Sequence, residues 1–142
     1  MAYWLFQGNP KYYQVRRAIA DFEEMPWLTT RYAKTMELGD KVLVWIAGAN
    51  AGIYAIAEIT ELPKIRKTPP DREYWLDKTR LGTKPQAMLK FKQKLLDTPL
   101  LRQNLKQDPI LQHLLVIRAP NSTNFKVTPE QWQRVQTLIE EG

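Results

Sequence analysis

The stretch KVLVWIAGANAGIYAIAEI, Lys41–Ile59, carries the strongest structural signal in the sequence. Both faces of its first part are apolar when side chains alternate with a period of two, which predicts a central β-strand. The second part predicts a returning strand, and Gly48 and Gly52 bracket the loop between them. Trp45 lies two residues before Ala47, and Ala47 and Gly48 have little side-chain bulk. The stretch is therefore either a buried hairpin or the wall of a slot for a flat ligand.

Upstream of this hairpin, the sequence predicts one short strand and two helices. Tyr3–Phe6 is apolar and precedes Asn9 and Pro10, an N-cap and first-turn pair that predicts a helix running to Phe22. The segment EEMPW then breaks this helix. A second short helix is expected over Thr29–Thr35, before the turn that leads into the central strand.

Downstream, the predicted elements are again short. They are a weak strand at Tyr74–Arg80, a helix at Pro85–Leu96, a helical segment at Leu100–Gln107, a strand at Leu114–Arg118, and a final helix opened by a Thr128/Gln131 capping box. Strands interleaved with helices favour an α+β fold, with a curved or barrel-like sheet surrounded by short helices. The 142 residues are expected to form a single domain, residues 1–142.

The residue types argue against an enzyme. The chain has no cysteine, one histidine (His113) and one serine (Ser122), and it shows no phosphate-binding loop or nucleophile elbow. We therefore expect no catalytic residue, no metal and no cofactor. No segment resembles a signal peptide or a membrane span, so we expect a cytoplasmic protein without a membrane partner.

Positive charge is concentrated in the middle of the chain. Residues 64–118 contain 13 basic and 5 acidic residues, whereas the flanking segments are close to neutral. Such an excess is typical of surfaces that bind nucleic-acid phosphates, although a solvated basic face has the same composition. Charge alone leaves these two interpretations open.

Three segments carry a resemblance to a known family. YWLFQGNPKYY (Tyr3–Tyr13), GDKVLVWIAGANAGIYAIAEI (Gly39–Ile59) and STNFKVTPEQW (Ser122–Trp132) resemble the EVE domain, a member of the PUA-like superfamily. The resemblance implies a pseudo-barrel with surrounding helices. It also implies a nucleic-acid reader that takes a flipped, modified base, such as methylated or hydroxymethylated cytosine, into an aromatic pocket. Any catalysis would then come from a separate effector nuclease or RNA-modifying enzyme.

The same resemblance implies a set of pocket residues. They are Gln7, Asn9, Trp27, Arg31, Trp45, Ala47, Gly48, Ile53, Tyr54, Ala55, Asn124 and Phe125. Several of these have a purely structural alternative: Asn9 as a helix cap, Gly48 as a turn residue, and Ile53 and Ala55 as core. From charge alone, the expected phosphate contacts are Lys64, Arg66, Lys67, Lys90, Lys92 and Lys94.

Two functions remain open on the sequence. The first is a reader of modified DNA or RNA, whose strand type neither composition nor motif distinguishes. The second is a small-molecule or protein-interaction module that uses the same cavity without binding nucleic acid.

Overall fold

The hairpin that begins at Lys41 forms the centre of the fold. The structure, a computed structural model, describes residues 1–142. Its strands are β1 (Tyr3–Gly8), β2 (Glu24–Leu28), β3 (Lys41–Ile46), β4 (Gly52–Lys64), β5 (Gln86–Lys94), β6 (Leu100–Leu101) and β7 (Asn124–Val127). Its helices are α1 (Val15–Asp21), α2 (Arg102–Leu105), α3 (Leu115–Arg118) and α4 (Pro129–Glu141), and there are single 3₁₀ turns at Arg72–Tyr74, Lys78–Arg80 and Leu111–His113.

All seven strands belong to one mixed sheet. Its order is β2-β5-β4-β3-β1-β7, with β6 attached to the start of β4. β1 runs parallel to β3, and the other pairs are antiparallel. β3 is central, as its two apolar faces predict. The predicted α+β fold with a curved sheet and short helices is confirmed.

A β-bulge interrupts the central hairpin. Val44 pairs with Ala55 and Trp45 pairs with Ile53, so Tyr54 has no partner of its own on β3. Tyr54 is thus an extra residue in β4. A bulge of this kind bends the strand that carries it and increases the local twist. The bulge also explains why strict alternation fails at this point. Ile53 and Tyr54 pack on opposite faces, but Tyr54 and Ala55 share a face.

The two edges of the open sheet are joined by one side chain. β2 and β7 are the terminal strands. The Asn124 side chain on β7 donates from Nδ2 to the Leu28 carbonyl on β2 (3.1 Å), and its Oδ1 accepts from the backbone N–H groups of Thr30 (2.8 Å) and Arg31 (3.3 Å). Asn124 is fully buried, so these bonds form away from water. This bridge gives the open sheet its barrel-like closure.

Each face of the sheet covers its own hydrophobic core. The first core contains Val42, Val44 and Trp27 and is completed by α1. The second contains Leu43 and Trp45 and is covered by α4 and the segment before it. The alternation predicted for β3 is therefore correct. Val42 and Val44 pack in the first core, and Leu43 and Trp45 pack in the second.

Several predicted elements are wrong. The helix expected over Pro85–Leu96 is strand β5, and the period-two spacing of Lys90, Lys92 and Lys94 was the strand signal in that segment. The strand expected over Leu114–Arg118 contains the short helix α3, because a brief apolar run does not distinguish the two states.

Three further segments differ from expectation. The predicted strand at Tyr74–Arg80 contains two 3₁₀ turns and one isolated bridge, and the helix predicted over Thr29–Thr35 does not form. The helix expected to start near Asn9 begins only at Val15. The segment EEMPW, expected to be a break, supplies most of edge strand β2, where Pro26 is tolerated.

The end of the chain agrees with the sequence. Thr128 and Gln131 form the predicted capping box at the start of α4, with Pro129 in its first turn. None of the helices combines the length and the apolar character needed to cross a membrane.

Candidate functional site

A cavity of about 750 Å³ opens where β1 ends, beside β2. Its size is that of small-molecule and cofactor sites, which span roughly 300 to 1,000 Å³. The lining comes from five parts of the chain: residues 7–13, residues 25–31, Ala47, residues 71–80 and residues 120–123. The fold therefore assembles this site from segments that are distant in sequence.

Four aromatic side chains line the cavity: Tyr12, Tyr13, Trp27 and Trp75. The Tyr13 and Trp75 rings pack edge to face, with centroids 4.7 Å apart. Their segments are also joined by backbone hydrogen bonds, from the Gln14 N–H to the Tyr74 carbonyl (2.8 Å) and from the Leu76 N–H to the Tyr12 carbonyl (2.8 Å). These bonds fix the aromatic wall in place. Such a wall suits a flat ligand that is held by stacking.

Trp27 is held by close packing against the end of β1. Its indole Nε1 donates to the Gln7 carbonyl (3.4 Å), and the ring is 5% exposed. A Cβ built on Gly8 would lie 3.0 Å from Trp27 Cζ2 and 2.8 Å from Val15 Cγ2. Glycine is therefore required at position 8 for the ring to occupy this position.

A buried carboxylate lies among the lining residues. Asp71 is 1% exposed, and its Oδ2 accepts a 2.6 Å hydrogen bond from the Tyr13 hydroxyl. Its Oδ1 has no hydrogen-bond partner, nor does the indole Nε1 of Trp75. Buried polar atoms are normally paired, so these two are exceptions that require an explanation.

Burial dominates the ionisation of this pair. It raises the pKa of the Asp71 carboxyl above its ordinary value, while the Tyr13 hydrogen bond, the nearby Trp75 indole N–H and the Arg66 charge oppose the rise. Burial also raises the pKa of the Tyr13 hydroxyl, and the adjacent Asp71 charge adds to this effect. Tyr13 thus remains the donor in the hydrogen bond.

Two arginines line the cavity, and each stacks on a tyrosine. The Arg80 guanidinium lies 3.8 Å from the Tyr12 ring centroid, and the Arg31 guanidinium lies 4.9 Å from that of Tyr32. Arg80 is also paired with Asp77 (3.3 Å), whereas Arg31 forms no ion pair. Arg31 therefore offers a free positive charge at the cavity.

The backbone beside Arg31 is strained. Tyr32 has a φ of 61°, the only non-glycine residue with a positive value. A left-handed conformation at such a residue costs roughly 1 to 3 kcal/mol, and such residues cluster at functional sites. Packing of the Tyr32 ring against Trp4, with centroids 5.4 Å apart, holds it there.

Gln7 positions another part of the lining. Its Nε2 donates to the carbonyls of Pro120 (3.1 Å) and Ser122 (2.7 Å). The backbone N–H of Gln7 also donates to the Thr123 carbonyl (2.7 Å). The loop of residues 120–123, which lines the cavity, is therefore attached to the end of β1.

Some of the predicted pocket residues do line this cavity. They are Gln7, Asn9, Trp27, Arg31 and Ala47. Asn9 does not cap a helix, because α1 begins at Val15; its Oδ1 instead accepts from the Lys11 N–H (2.9 Å) in a turn before α1.

The structure does not bring Trp45 to the cavity. Trp45 is 1% exposed and packs in the second core, on the sheet face opposite Trp27. Period-two alternation correctly separates the two faces of β3, but both are apolar, and nothing in the hairpin itself shows which one adjoins a cavity. The expected slot beside Trp45 is therefore filled core.

The remaining predicted residues also lie elsewhere. Ile53 and Phe125 belong to the second core, Ala55 belongs to the first, and Gly48 occupies an exposed turn with a φ of 110°. Tyr54 is buried in the first core, and its hydroxyl donates to the Asn50 carbonyl (2.6 Å). Asn124 does not line the cavity but holds the segment that carries Arg31.

The six predicted phosphate contacts lie outside the cavity lining. Lys64 and Arg66 both pair with Glu61, and the Arg66 side chain is only 13% exposed. Lys92 pairs with Glu58 (3.4 Å), and Lys94 Nζ donates to the Ala20 carbonyl (3.3 Å). Lys67 and Lys90 are exposed and make neither kind of contact. Glu58 and Glu61 thus offset part of this charge, and Lys67, Lys90 and Lys94 form no ion pair.

The sequence did not point to Tyr12, Tyr13, Asp71, Trp75 or Arg80 as site residues. The pattern REYW at residues 72–75, following two prolines, held a weak signal, because it places aromatic rings in an otherwise polar segment. No three histidine, aspartate or glutamate side chains come together in a way that could hold a metal ion.

Fold and cavity together define an α+β domain with an aromatic, polar-lined pocket. The family model for the EVE domain matches residues 2–138, which is nearly the whole chain. The chain belongs to the EVE domain family. No curated protein matches it.

Solved structures share this fold. A hypothetical protein from Leishmania major is 23% identical, with a TM-score of 0.75 over 99% of this chain and 96% of that one. A protein from Pseudomonas putida is 24% identical, with a TM-score of 0.71 over 96% and 99%. Human THYN1, in complex with 5-methylcytosine-containing DNA, is 13% identical, with a TM-score of 0.72 over 97% of each chain. These identities support the shared fold alone.

Proposed function

We propose that this protein binds DNA and accommodates one flipped, modified cytosine in the cavity beside Trp27. The observation that carries the proposal is an aromatic cavity with room for a nucleobase, whose lining residues include buried, unpartnered polar atoms and an arginine without an ion pair. Proteins that read flipped bases combine stacking with hydrogen bonds to the base edge. The binding of 5-methylcytosine DNA by human THYN1, which has the same fold, supports the choice of ligand.

The proposal assigns affinity and selectivity to different contacts. Arg31 and Arg80 attract the sugar–phosphate backbone without regard to sequence, and the aromatic wall selects the base. These two arginines differ from the six basic residues expected from charge alone, because they line the cavity itself. The protein acts as a binding domain, and chemistry on the nucleic acid belongs to a separate effector.

The experiment measures oligonucleotide affinity by fluorescence anisotropy at several salt concentrations. Because stacking contributes roughly 1 to 3 kcal/mol per base, Trp27→Ala should weaken binding of 5-methylcytosine DNA by about 5- to 150-fold. Trp132→Ala is the matched control, since Trp132 stacks on Tyr3 (5.1 Å between centroids) and does not line the cavity. Equal affinities for the wild type and Trp27→Ala would refute the pocket assignment.

A second test changes the base and the sugar of the oligonucleotide and keeps the protein unchanged. One methyl group buried in the cavity contributes about 0.8 kcal/mol, so 5-methylcytosine should bind roughly fourfold more tightly than cytosine. An RNA oligonucleotide with the same modified base shows whether the sugar matters. If no oligonucleotide binds even at low salt, the nucleic-acid proposal fails and the alternative of a small-molecule or protein-interaction module is favoured.

A further inference from the structure

Two adjacent polar atoms of the cavity are left without partners. Asp71 Oδ1 is an acceptor and Trp75 Nε1 is a donor, and both residues line the cavity while being more than nine-tenths buried. The Trp75 indole N–H is close enough to Asp71 to lower the carboxyl pKa as a hydrogen-bond donor does, but the two groups make no hydrogen bond of ordinary geometry. An unpaired buried polar atom is costly, and a ligand that pairs with it recovers that cost on binding.

The other carboxylate oxygen is already occupied. The Tyr13 hydroxyl donates to Asp71 Oδ2 at 2.6 Å, which leaves Oδ1 as the carboxylate oxygen without a partner. The lining residues thus carry one unpaired acceptor and one unpaired donor, and both atoms are covered, so a ligand reaches them only when the side chains over them move.

We propose that Asp71 Oδ1 accepts a hydrogen bond from the exocyclic amino group of a cytosine, while the Trp75 indole N–H donates to its ring N3. Carboxylates commonly accept from the cytosine amino group, and flipped bases are read on their Watson–Crick edge. An amino donor beside a ring-nitrogen acceptor occurs in both cytosine and adenine, and the 5-methylcytosine DNA bound by human THYN1 favours cytosine. This inference rests on the proposed function and adds the residues that identify the base.

The proposal makes thymine the informative competitor. Thymine carries the same 5-methyl group as 5-methylcytosine, so packing against the aromatic wall is unchanged. In the same pose it presents its O4 to the Asp71 carboxylate and its N3–H to the Trp75 N–H. Both contacts then become repulsive, so the cavity should reject thymine through its edge and not through its shape.

The experiment compares single-stranded oligonucleotides that differ at one position, so that the cost of opening a duplex does not enter. The position holds 5-methylcytosine, thymine, or 5-methylpyrimidin-2-one, which lacks the amino group. The wild type should bind 5-methylcytosine at least tenfold more tightly than either competitor. Equal affinity for all three overturns the proposal without any change to the protein.

The second part of the experiment replaces the Asp71 carboxylate. Because the Tyr13 hydroxyl requires an acceptor, Asp71→Asn places its amide donor where Oδ1 was. The preference for 5-methylcytosine over thymine should fall to threefold or less. Asp97→Asn is the matched control: it removes the same charge from an exposed residue outside the lining and should keep the preference. Thermal unfolding of each variant shows that it is folded.

The outcomes separate this inference from the proposed function. If oligonucleotides bind in a Trp27-dependent way but Asp71→Asn keeps the preference for 5-methylcytosine, the base-reading role of Asp71 is wrong and the cavity assignment stands. If binding is independent of Trp27 as well, the proposed function itself is wrong.

Discussion

Gly8 shows how tightly the cavity wall is built at the scale of one residue. A methyl group at this position would crowd both Val15 and Trp27. Gly8→Ala should therefore lower the free energy of unfolding by about 1 to 3 kcal/mol, as overpacking does, and should also weaken oligonucleotide binding by displacing the Trp27 ring. Urea unfolding and anisotropy measure the two effects.

Gly39→Ala is the control for that substitution. Gly39 has a φ of 87° and no neighbouring atom within 4 Å of an added Cβ, so alanine there is strained but not crowded. It should cost about 1 kcal/mol while leaving binding intact. If Gly8→Ala and Gly39→Ala affect binding equally, the crowding at Trp27 is not what shapes the site.

Asp71 should make the stability of the free protein depend on pH. Its folded-state pKa is raised by burial, so its contribution is most favourable below the ordinary aspartate pKa of about 3.9 and is lost as the pH rises through the folded value. Asp71→Asn lacks this titration. The wild type should therefore lose stability relative to Asp71→Asn between pH 4 and the folded pKa, then remain level. Urea unfolding across this range tests it, and a relative gain with pH would contradict it.

The side chains also mark how far a sequence can be interpreted residue by residue. Trp27 and Arg31 line the cavity, whereas Trp45, which the sequence placed in the same pocket, fills a core. Asp71 and Trp75 could not be found, because their importance comes from missing hydrogen-bond partners. That property exists only after Tyr13 and Asp71, which are 58 positions apart, have been brought together.

At the scale of elements, the bridge between β2 and β7 is the feature most open to test. Asn124→Ala would leave the Leu28 carbonyl and the Thr30 and Arg31 N–H groups without partners, at a cost of about 2 to 4 kcal/mol. It should also weaken oligonucleotide binding, since Arg31 would no longer be held. Asn124 does not itself line the cavity, so this loss of affinity reports positioning.

Thr128→Ala provides the element-scale control. It removes the capping box of α4 and should cost about 1 kcal/mol without changing affinity, because α4 covers the other face of the sheet. Equal affinities of Asn124→Ala and the wild type would show that the bridge serves stability alone.

Helices and strands could be predicted where a local sequence signal is strong and tertiary pairing does not override it. The capping box specified α4, and two apolar faces specified β3 as a central strand. β5 was mistaken for a helix because its apolar residues also suit helical spacing, and pairing with β4 and β2 decided the outcome. The bulge at Tyr54 is likewise a product of strand pairing, so alternation within β4 alone does not reveal it.

At the scale of the whole molecule, the distribution of usable charge differs from the distribution in sequence. The basic excess of residues 64–118 is partly neutralised by Glu58 and Glu61, whereas Arg31 comes from a segment without excess charge. Arg31→Ala should therefore reduce the slope of log affinity against log salt by about 0.7 to 1.

Lys92→Ala is the comparison for that slope. Lys92 is exposed but paired with Glu58, and it lies outside the cavity lining, so its removal should leave the slope nearly unchanged. Anisotropy titrations at five or more salt concentrations give both slopes. If Lys92→Ala reduces the slope and Arg31→Ala does not, the phosphate contacts come from the lysines of β5, as charge alone predicts.

The central claim is that a base enters the cavity beside Trp27 and Trp75. The chain has five tryptophans, and their indole N–H signals in a ¹H–¹⁵N NMR spectrum report on separate places in the fold. Addition of a 5-methylcytosine oligonucleotide should shift the Trp27 and Trp75 signals and leave that of Trp45, buried in the second core, unmoved. Binding that leaves Trp27 and Trp75 unchanged would contradict the account.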